Sequence, residues 1–405
     1  MISWQETPLK FRDFNFFIVG YFVSVVGTWL HNTAQVWLVY KLTYSSFYLG
    51  LFSFLTSFPG FLLVLFGGFL IDFFDRKFLL VFTTFLSIFP PLILGILTEF
   101  NLLNYWSFTL LAFLLGILNT FEVPLRQVFI SELVPFSLIT KSVSFLSLSL
   151  NTARMVGPFL AGLIFSSIGF AYCFYLNSLT FLFFLFMLTQ IKILPKVKKE
   201  KKDLKTLYKE PIIFLKKEKN ILALLLSVGV FTFFGSSIVI LLPLIIHTFF
   251  QKGSKEFAFL SSFIGLGAIS GALFVIFKKN LKNEIKHLLK ATFLLAIGIT
   301  GLNFIKNWHL TKIFCVLIGF SFTNFFPVAN SFIQKNTPLY IRGRIISLFI
   351  LAYLGIYPLG DLFIGFLAEY INLHIVLVIN VLFLITLNFI LLKSTIKSKN
   401  VTFCS

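Results

Sequence analysis

The sequence predicts an all-helical membrane protein of twelve spanning helices, built as two six-helix repeats. Three observations carry that expectation: an excess of apolar residues, the recurrence of apolar runs near bilayer length, and self-similarity at a constant spacing. Of 405 residues, 58% are hydrophobic and 12% charged, with a mean hydropathy of +0.95. A soluble domain sits nearer half apolar and a quarter charged, and a single soluble core stops growing well short of this length. The surplus apolar surface must therefore face lipid.

Runs of about 20 apolar residues, enough to cross a ~30 Å hydrocarbon layer as helix, recur along nearly the whole chain. They fall near residues 14–40, 46–71, 78–98, 105–129, 139–167, 170–191, 219–248, 256–277, 285–305, 309–334, 345–369 and 374–392. The 58 phenylalanines invite the idea of an aromatic binding surface, but lipid-facing side chains and a biased composition explain most of them. Cys173, Cys315 and Cys404 are too scattered to suggest a metal site or a disulfide framework.

The net charge of +19 is not spread as a nucleic-acid-binding face would be. Of the 34 lysines and arginines, 28 fall in the tails and alternate connections, 5 on the opposite side, and Arg154 lies inside a span. That asymmetry orients helices in a bilayer and places both termini on the cytoplasmic side of an inner membrane. The basic stretch KILPKVKKEKKDLKTLYKEPIIFLKKEKN, from Lys192 to Asn220, divides the chain. Domains are expected at 1–191 and 219–405, joined by a solvated, partly helical linker over 192–218 that lies near anionic headgroups.

Adding 203 to residue numbers lays Gly68 on Gly271, Arg76 on Lys279, Gly116 on Gly319 and Pro124 on Pro327. It also lays Pro135 on Pro338, Gly157 on Gly360 and Gly162 on Gly365. A repeat of six helices, an even number, makes both copies enter the membrane from the same side.

The connection GGFLIDFFDRK, Gly67 to Lys77, closes the second helix on a cluster of both charge signs. It resembles the major facilitator signature G-x-x-x-D-R-x-G-R-K, matched at Gly68, Asp72, Arg76 and Lys77, with Phe73 in place of Arg and Asp75 in place of Gly. PLRQVFISELVP, NTARMVGPFLAG, IRGRIISLF with YPLGDLFIG, and VGTWLHNTAQVWLVYKLT are similar to the enterobactin-exporter and macrolide-efflux-like branch of that superfamily. The resemblance implies the major facilitator fold, parallel repeats about an axis along the membrane normal, and a substrate path at the midplane worked by alternating access. It implies that Gly68, Asp72, Asp75, Arg76 and Lys77 form a gating charge network on the cytoplasmic side. An acid at the position of Glu122 joins that network in the family. Gly157-Pro158 and Gly162 resemble the fifth-helix motif of antiporters, where proline removes a backbone hydrogen bond and bends the helix.

Ionisable and polar side chains inside spans are the further candidates. Arg154, near mid-membrane, is expected either to serve substrate or proton coupling or to form a structural ion pair. Glu122, four residues before Arg126, is placed for a helical pair, and gating, proton carriage and a passive pair all remain open. Asp361, in the slot of Pro158, is either a coupling acid or a partner for a polar group. His31, Asn32 and Gln35 make a polar patch on the first helix, with Asn119, Asn151, Asn324 and Tyr357 as weaker candidates, since such residues often pack helices together. His247 and His309 are expected near helix ends.

No G-x-x-x-x-G-K-[ST] is present, which argues against ATP-driven transport by this chain alone, and no H-E-x-x-H or catalytic cluster suggests an enzyme. The expectation is a secondary-active exporter of an amphipathic small molecule, drug-like or siderophore-like. It would use the proton gradient and no cofactor, with lipids and a small-molecule substrate as partners. Uptake, lipid movement between leaflets, and a transport-inactive sensor or scaffold are the rivals.

Overall fold

The computed structural model describes residues 7–73, 75–192, 206–278 and 283–401, with side chains omitted at 61–73, 206–209, 212, 339–340 and 394–401. Eleven helices among the described residues are long and apolar enough to cross a membrane. The 28-residue helix Ser46–Phe73 brings the total to the twelve that the apolar runs predict. In chain order they are α1 (Arg12–Thr43), α2 (Ser46–Phe73), α3 (Arg76–Glu99), α4 (Tyr105–Leu133), α5 (Ile139–Ser167) and α6 (Ala171–Thr189). Then come α7 (residues 219–250), α8 (Ser254–Phe277), α9 (Glu284–Phe304), α10 (Trp308–Asn336), α11 (residues 339–370) and α12 (Leu373–Val401). A shorter helix, Thr206–Lys217, lies in the basic linker. Residues 193–205 of that linker are outside the described residues.

Local chemistry sets several helix ends. Asn104 caps α4 through a capping box with Ser107, and Asn307 caps α10 by accepting from the amides of His309 and Leu310. Asp75 caps α3, accepting from the Phe78 amide at 2.7 Å. The α1 and α7 helices both stop on a left-handed residue, Tyr44 at φ 49° and Gln251 at φ 52°.

Matching helix starts reveal that a constant spacing of 203 holds for only part of the repeat. The caps Asn104 and Asn307 are 203 apart, but the starts of α2 and α8, Ser46 and Ser254, are 208 apart, as are the starts of α3 and α9, Arg76 and Glu284. The first copy of the third helix and its following loop is five residues longer. Two of the seven landmarks are therefore corrected: Arg76 corresponds to Glu284 rather than Lys279, and Gly68 does not correspond to Gly271.

By internal contacts the chain forms two compact units. Unit 1 holds Met1–Tyr44, Leu55–Glu200 and Ser254–Ser262; unit 2 holds Ser45–Phe54, Lys201–Gly253 and Phe263–Ser405. Each unit thus takes in the opening turns of a helix whose remainder belongs to the other. In unit 1, α1 lies against α5 and α6, and Phe14, Phe17, Leu125, Phe129, Ala153, Phe184 and Leu188 share one apolar cluster. In unit 2, α9 packs on α10 and α12, and Phe231 stacks on Phe325 with ring centroids 3.8 Å apart. Phenylalanine supplies ten of the twelve largest fully buried side chains, so it builds the interior as well as the lipid face.

Candidate functional site

A polar arrangement joins α11 to the first turns of α2, wholly within unit 2. Both α11 and α7 carry a π-helical turn, at Leu351–Gly355 and Phe231–Ser236. Such turns widen a helix, leave carbonyls short of partners and concentrate at functional sites. Asn380 of α12 serves one of them, donating to the Phe234 carbonyl at 2.7 Å. Gly360 lets the two distorted helices meet, for a Cβ there would lie 2.9 Å from the Phe233 Cα.

Asp361 follows directly and is fully buried. Ser53 donates a hydrogen bond to its Oδ2, and the Tyr357 phenol, one turn earlier, bears on both Asp361 and Ser53. Its Oδ1 has no hydrogen-bonding partner, and no cation pairs with this carboxyl among the described residues. Two turns further on, Glu369 accepts from Ser45 Oγ at 2.8 Å, Ser46 Oγ at 3.0 Å and the Phe47 amide at 3.1 Å. A carboxylate from α11 therefore caps the start of α2, where unpaired N–H groups favour negative charge. Between the two acids the backbones nearly touch: a Cβ on Gly365 would lie 2.6 Å from the Ser46 carbonyl oxygen and 3.0 Å from Gly50 Cα. Sequence reasoning named Asp361 and Tyr357 as candidates and Gly365 only as a repeat landmark, and it did not single out Ser53 or Glu369. The paired serines Ser45 and Ser46 at the start of α2 were the available signal of a cap. Nothing local could point to a partner more than 300 residues away.

The corresponding seam in unit 1 joins α5 to the start of α8, with Gly162 against Ala258 Cβ at 3.1 Å. It carries no counterpart of Asp361, because Pro158 occupies that slot. Gly157 abuts Trp29 and the Leu30 amide of α1, the latter 2.9 Å from an added Cβ. One turn earlier, Arg154 lies with its guanidinium carbon 5.1 Å from the centroid of Trp29. Its Nε is buried without a partner, and it forms no ion pair among the described residues. Asn151 donates to the Ser147 carbonyl at 2.8 Å, and Asn119 is half-buried on α4.

The residues grouped by sequence as one charge network divide into two sets. Arg76 pairs with Glu132 at 2.7 Å, Lys77 donates to the Ile191 carbonyl at 2.6 Å, and Asp75 caps α3. Glu122 and Arg126 instead form a buried ion pair inside unit 1. Ser87 donates to the other Glu122 oxygen at 2.9 Å, while Tyr21 and Phe184 flank the guanidinium at 5.4 and 5.1 Å. The side chains of Gly68, Asp72 and Phe73 lie outside the described residues. In unit 2 the start of α9 and the end of α10 are joined by Glu284 and Lys335 at 2.7 Å. This is the Arg76–Glu132 pair with its signs exchanged. His287 and Asn324 share a 3.1 Å hydrogen bond nearby.

The first-helix patch also separates. Asn32 is exposed, whereas His31 is fully buried, edge-on to Phe174 at 4.9 Å, with both ring nitrogens lacking hydrogen-bonding partners. Gln35 is the polar group beside it, and its Nε2 is likewise unpartnered. His247 and His309 are exposed near the ends of α7 and α10.

Comparison with known proteins gives the chain relatives and a fold. The family model for transmembrane secretion effectors matches residues 3–402. The staphyloferrin A transporter of Staphylococcus aureus (strain NCTC 8325 / PS 47) is 27% identical over 368 residues, covering 87% of this chain and 89% of that protein. The multidrug efflux pump Tap of Mycolicibacterium fortuitum is 28% identical over 112 residues, 27% of each chain. Among solved structures, the nucleoside transporter NupG superposes with a TM-score of 0.75 at 13% identity, covering 95% of this chain and 99% of that one. A bacterial homologue of the iron transporter ferroportin, in an inward-facing state, superposes with a TM-score of 0.71 at 13% identity, covering 95% and 98%. At such identities the structural likeness speaks for the fold.

Proposed function

This chain belongs to the transmembrane secretion effector family of major facilitator transporters, and on that premise we propose that it is a proton-driven exporter of an amphipathic small molecule. It is a multi-pass integral membrane transporter; direction, coupling and cargo are the proposal. Export agrees with what the family description and the Tap relative are named for. Both termini face the cytoplasm in this reading, as the distribution of lysine and arginine requires.

One observation carries the coupling: a fully buried carboxyl on α11, Asp361, held by a serine hydroxyl rather than by a cation. A carboxyl locked to arginine cannot give up its charge without breaking an ion pair. One that leans on neutral hydroxyls can bind and release a proton while keeping its neighbours. The α11–α2 seam is then the element whose packing responds. It is glycine-tight, fastened by Asp361 at one level and Glu369 at another, and flanked by two π-helical turns that supply give. Protonation of Asp361 weakens its hold on Ser53, and α2 and α11 are free to part during alternating access.

The test uses proteoliposomes holding the purified full chain and a pH-sensitive dye, with cargo first identified from the susceptibility and metabolite-export profile of a deletion strain. Cargo added under an imposed gradient is expected to accelerate proton movement in the wild type but not in Asp361→Asn. Equal proton movement in the two proteins removes Asp361 from the coupling, and cargo transport unaffected by the gradient removes the proton.

A further inference from the structure

Arg154 stands at the sixteenth of the 29 residues of α5, deep in a spanning helix. A cation at such depth is costly unless something neutralises it. The described acids of unit 1 are committed elsewhere. Glu122 holds Arg126, Glu132 holds Arg76, Asp75 caps α3, and Glu99 accepts from the Tyr175 hydroxyl at 2.6 Å. Asp13 lies in the first turn of α1 and Glu256 in the first turn of α8, which packs on α5 at Gly162, eight residues beyond Arg154, and neither forms an ion pair with Arg154. The guanidinium rests against Trp29, and Gly157 pins that stretch of α1 to the α5 backbone. Trp29 and Arg154 are themselves only half-buried.

We propose that Arg154 and Trp29 are the anchor for an oxyanion, a carboxylate or sulfonate, carried by the amphipathic cargo. This rests on the transport reading above and adds a chemical class to it. The guanidinium carbon lies 5.1 Å from the indole centroid, and a guanidinium offers a planar fork of donors that matches a carboxylate bidentately. The indole gives the same site an apolar wall, so an organic anion gains from both halves where an inorganic one gains from the fork alone. The cargo's own charge completes the pair that the protein leaves open, which makes an anion preferable to a neutral molecule of the same shape.

The experiment is equilibrium dialysis of the purified full chain in lipid nanodiscs against three matched probes: naphthoate, naphthamide and naphthylmethylammonium. Empty nanodiscs correct for partition into lipid. Wild type is expected to hold naphthoate about tenfold more tightly than naphthamide, the worth of a charge-assisted fork, and to hold the cation least. Arg154→Gln is expected to lose that preference, and Arg154→Lys to keep it at reduced size because a point charge remains without the fork. The proposal is overturned if wild type holds naphthoate no better than naphthamide, including when it holds neither, or if Arg154→Gln keeps the preference. Should Arg154→Gln not accumulate as folded protein, Arg154→Lys decides, and an undiminished preference there overturns the fork. No gradient enters this assay. Anion preference without cargo-driven proton movement therefore sinks the proton coupling alone, and proton-coupled export of neutral cargo only sinks the anion site alone.

Discussion

Ser53 of α2 donates a hydrogen bond to Asp361 of α11 across 308 residues of chain. The bond joins the opening turns of one repeat's second helix to the fifth helix of the other repeat. It lies beside Gly50, where a Cβ would stand 3.0 Å from Leu362 Cα. Removing Ser53 should therefore act on packing and, on the proposed proton-driven reading, on coupling. Ser53→Ala is expected to destabilise by about 1–3 kcal/mol, the cost of stripping a partner from a buried polar group. Thermal unfolding in nanodiscs reads the stability, and the proteoliposome assay reads the weaker coupling.

Glu369 fastens the same two helices by three hydrogen bonds at the start of α2. Glu369→Gln keeps the shape and removes the charge, and should cost about 1 kcal/mol as a lost cap. A cysteine placed at Tyr48 should react faster with a membrane-impermeant maleimide in this variant than in the parent. Unchanged labelling would show that the cap does not hold the seam shut.

Glycines along the seam are expected to be intolerant in proportion to what they touch. Gly365→Ala forces a methyl against the Ser46 carbonyl and Gly50, and overpacking of this kind costs about 1–3 kcal/mol. Gly343→Ala, with nothing within 4 Å of the new Cβ, should express and transport as the parent does. Equal tolerance at the two positions would contradict the close approach of α2 and α11.

Within unit 1, the Glu122–Arg126 pair offers a double-mutant cycle. Glu122→Gln or Arg126→Met alone leaves a buried charge without its partner and should cost about 3–5 kcal/mol, whereas the double variant should cost much less. The second repeat already shows the apolar solution, with Phe325 and Ala329 in the equivalent slots. If the singles retain stability but lose transport, the pair belongs to gating.

The exchanged signs of Arg76–Glu132 and Glu284–Lys335 make a further test. Swapping Arg76→Glu with Glu132→Arg should preserve transport far better than either reversal alone. Stability should move by no more than about 1 kcal/mol, because these pairs are partly exposed. Transport rate at matched expression is the measurement.

The fold was largely legible in the chain itself. Apolar runs of bilayer length leave a helix no alternative, since every backbone polar group in lipid must be satisfied within its own segment. The even-numbered repeat follows from glycine and proline landmarks, although one constant spacing could not register the five extra residues around the third helix of the first copy. Arg154, Asp361 and Tyr357 stood out because polar groups in apolar runs are conspicuous. Glu369, Ser53 and Glu132 did not, because each lies near a helix end where polar residues are ordinary.

What the sequence determined alone is therefore the membrane, the helices, their repetition and the short inventory of polar groups within them, for these depend on interactions with lipid and on contacts a few residues apart. Which groups meet was decided only in three dimensions. The separation of Glu122–Arg126 from Arg76–Glu132, the capping of α2 by an acid from α11, and the isolation of Arg154 against Trp29 all depend on helix rotation and depth. Those are set by how glycines and aromatic rings interlock between helices distant in the chain, and no single helix carries that information.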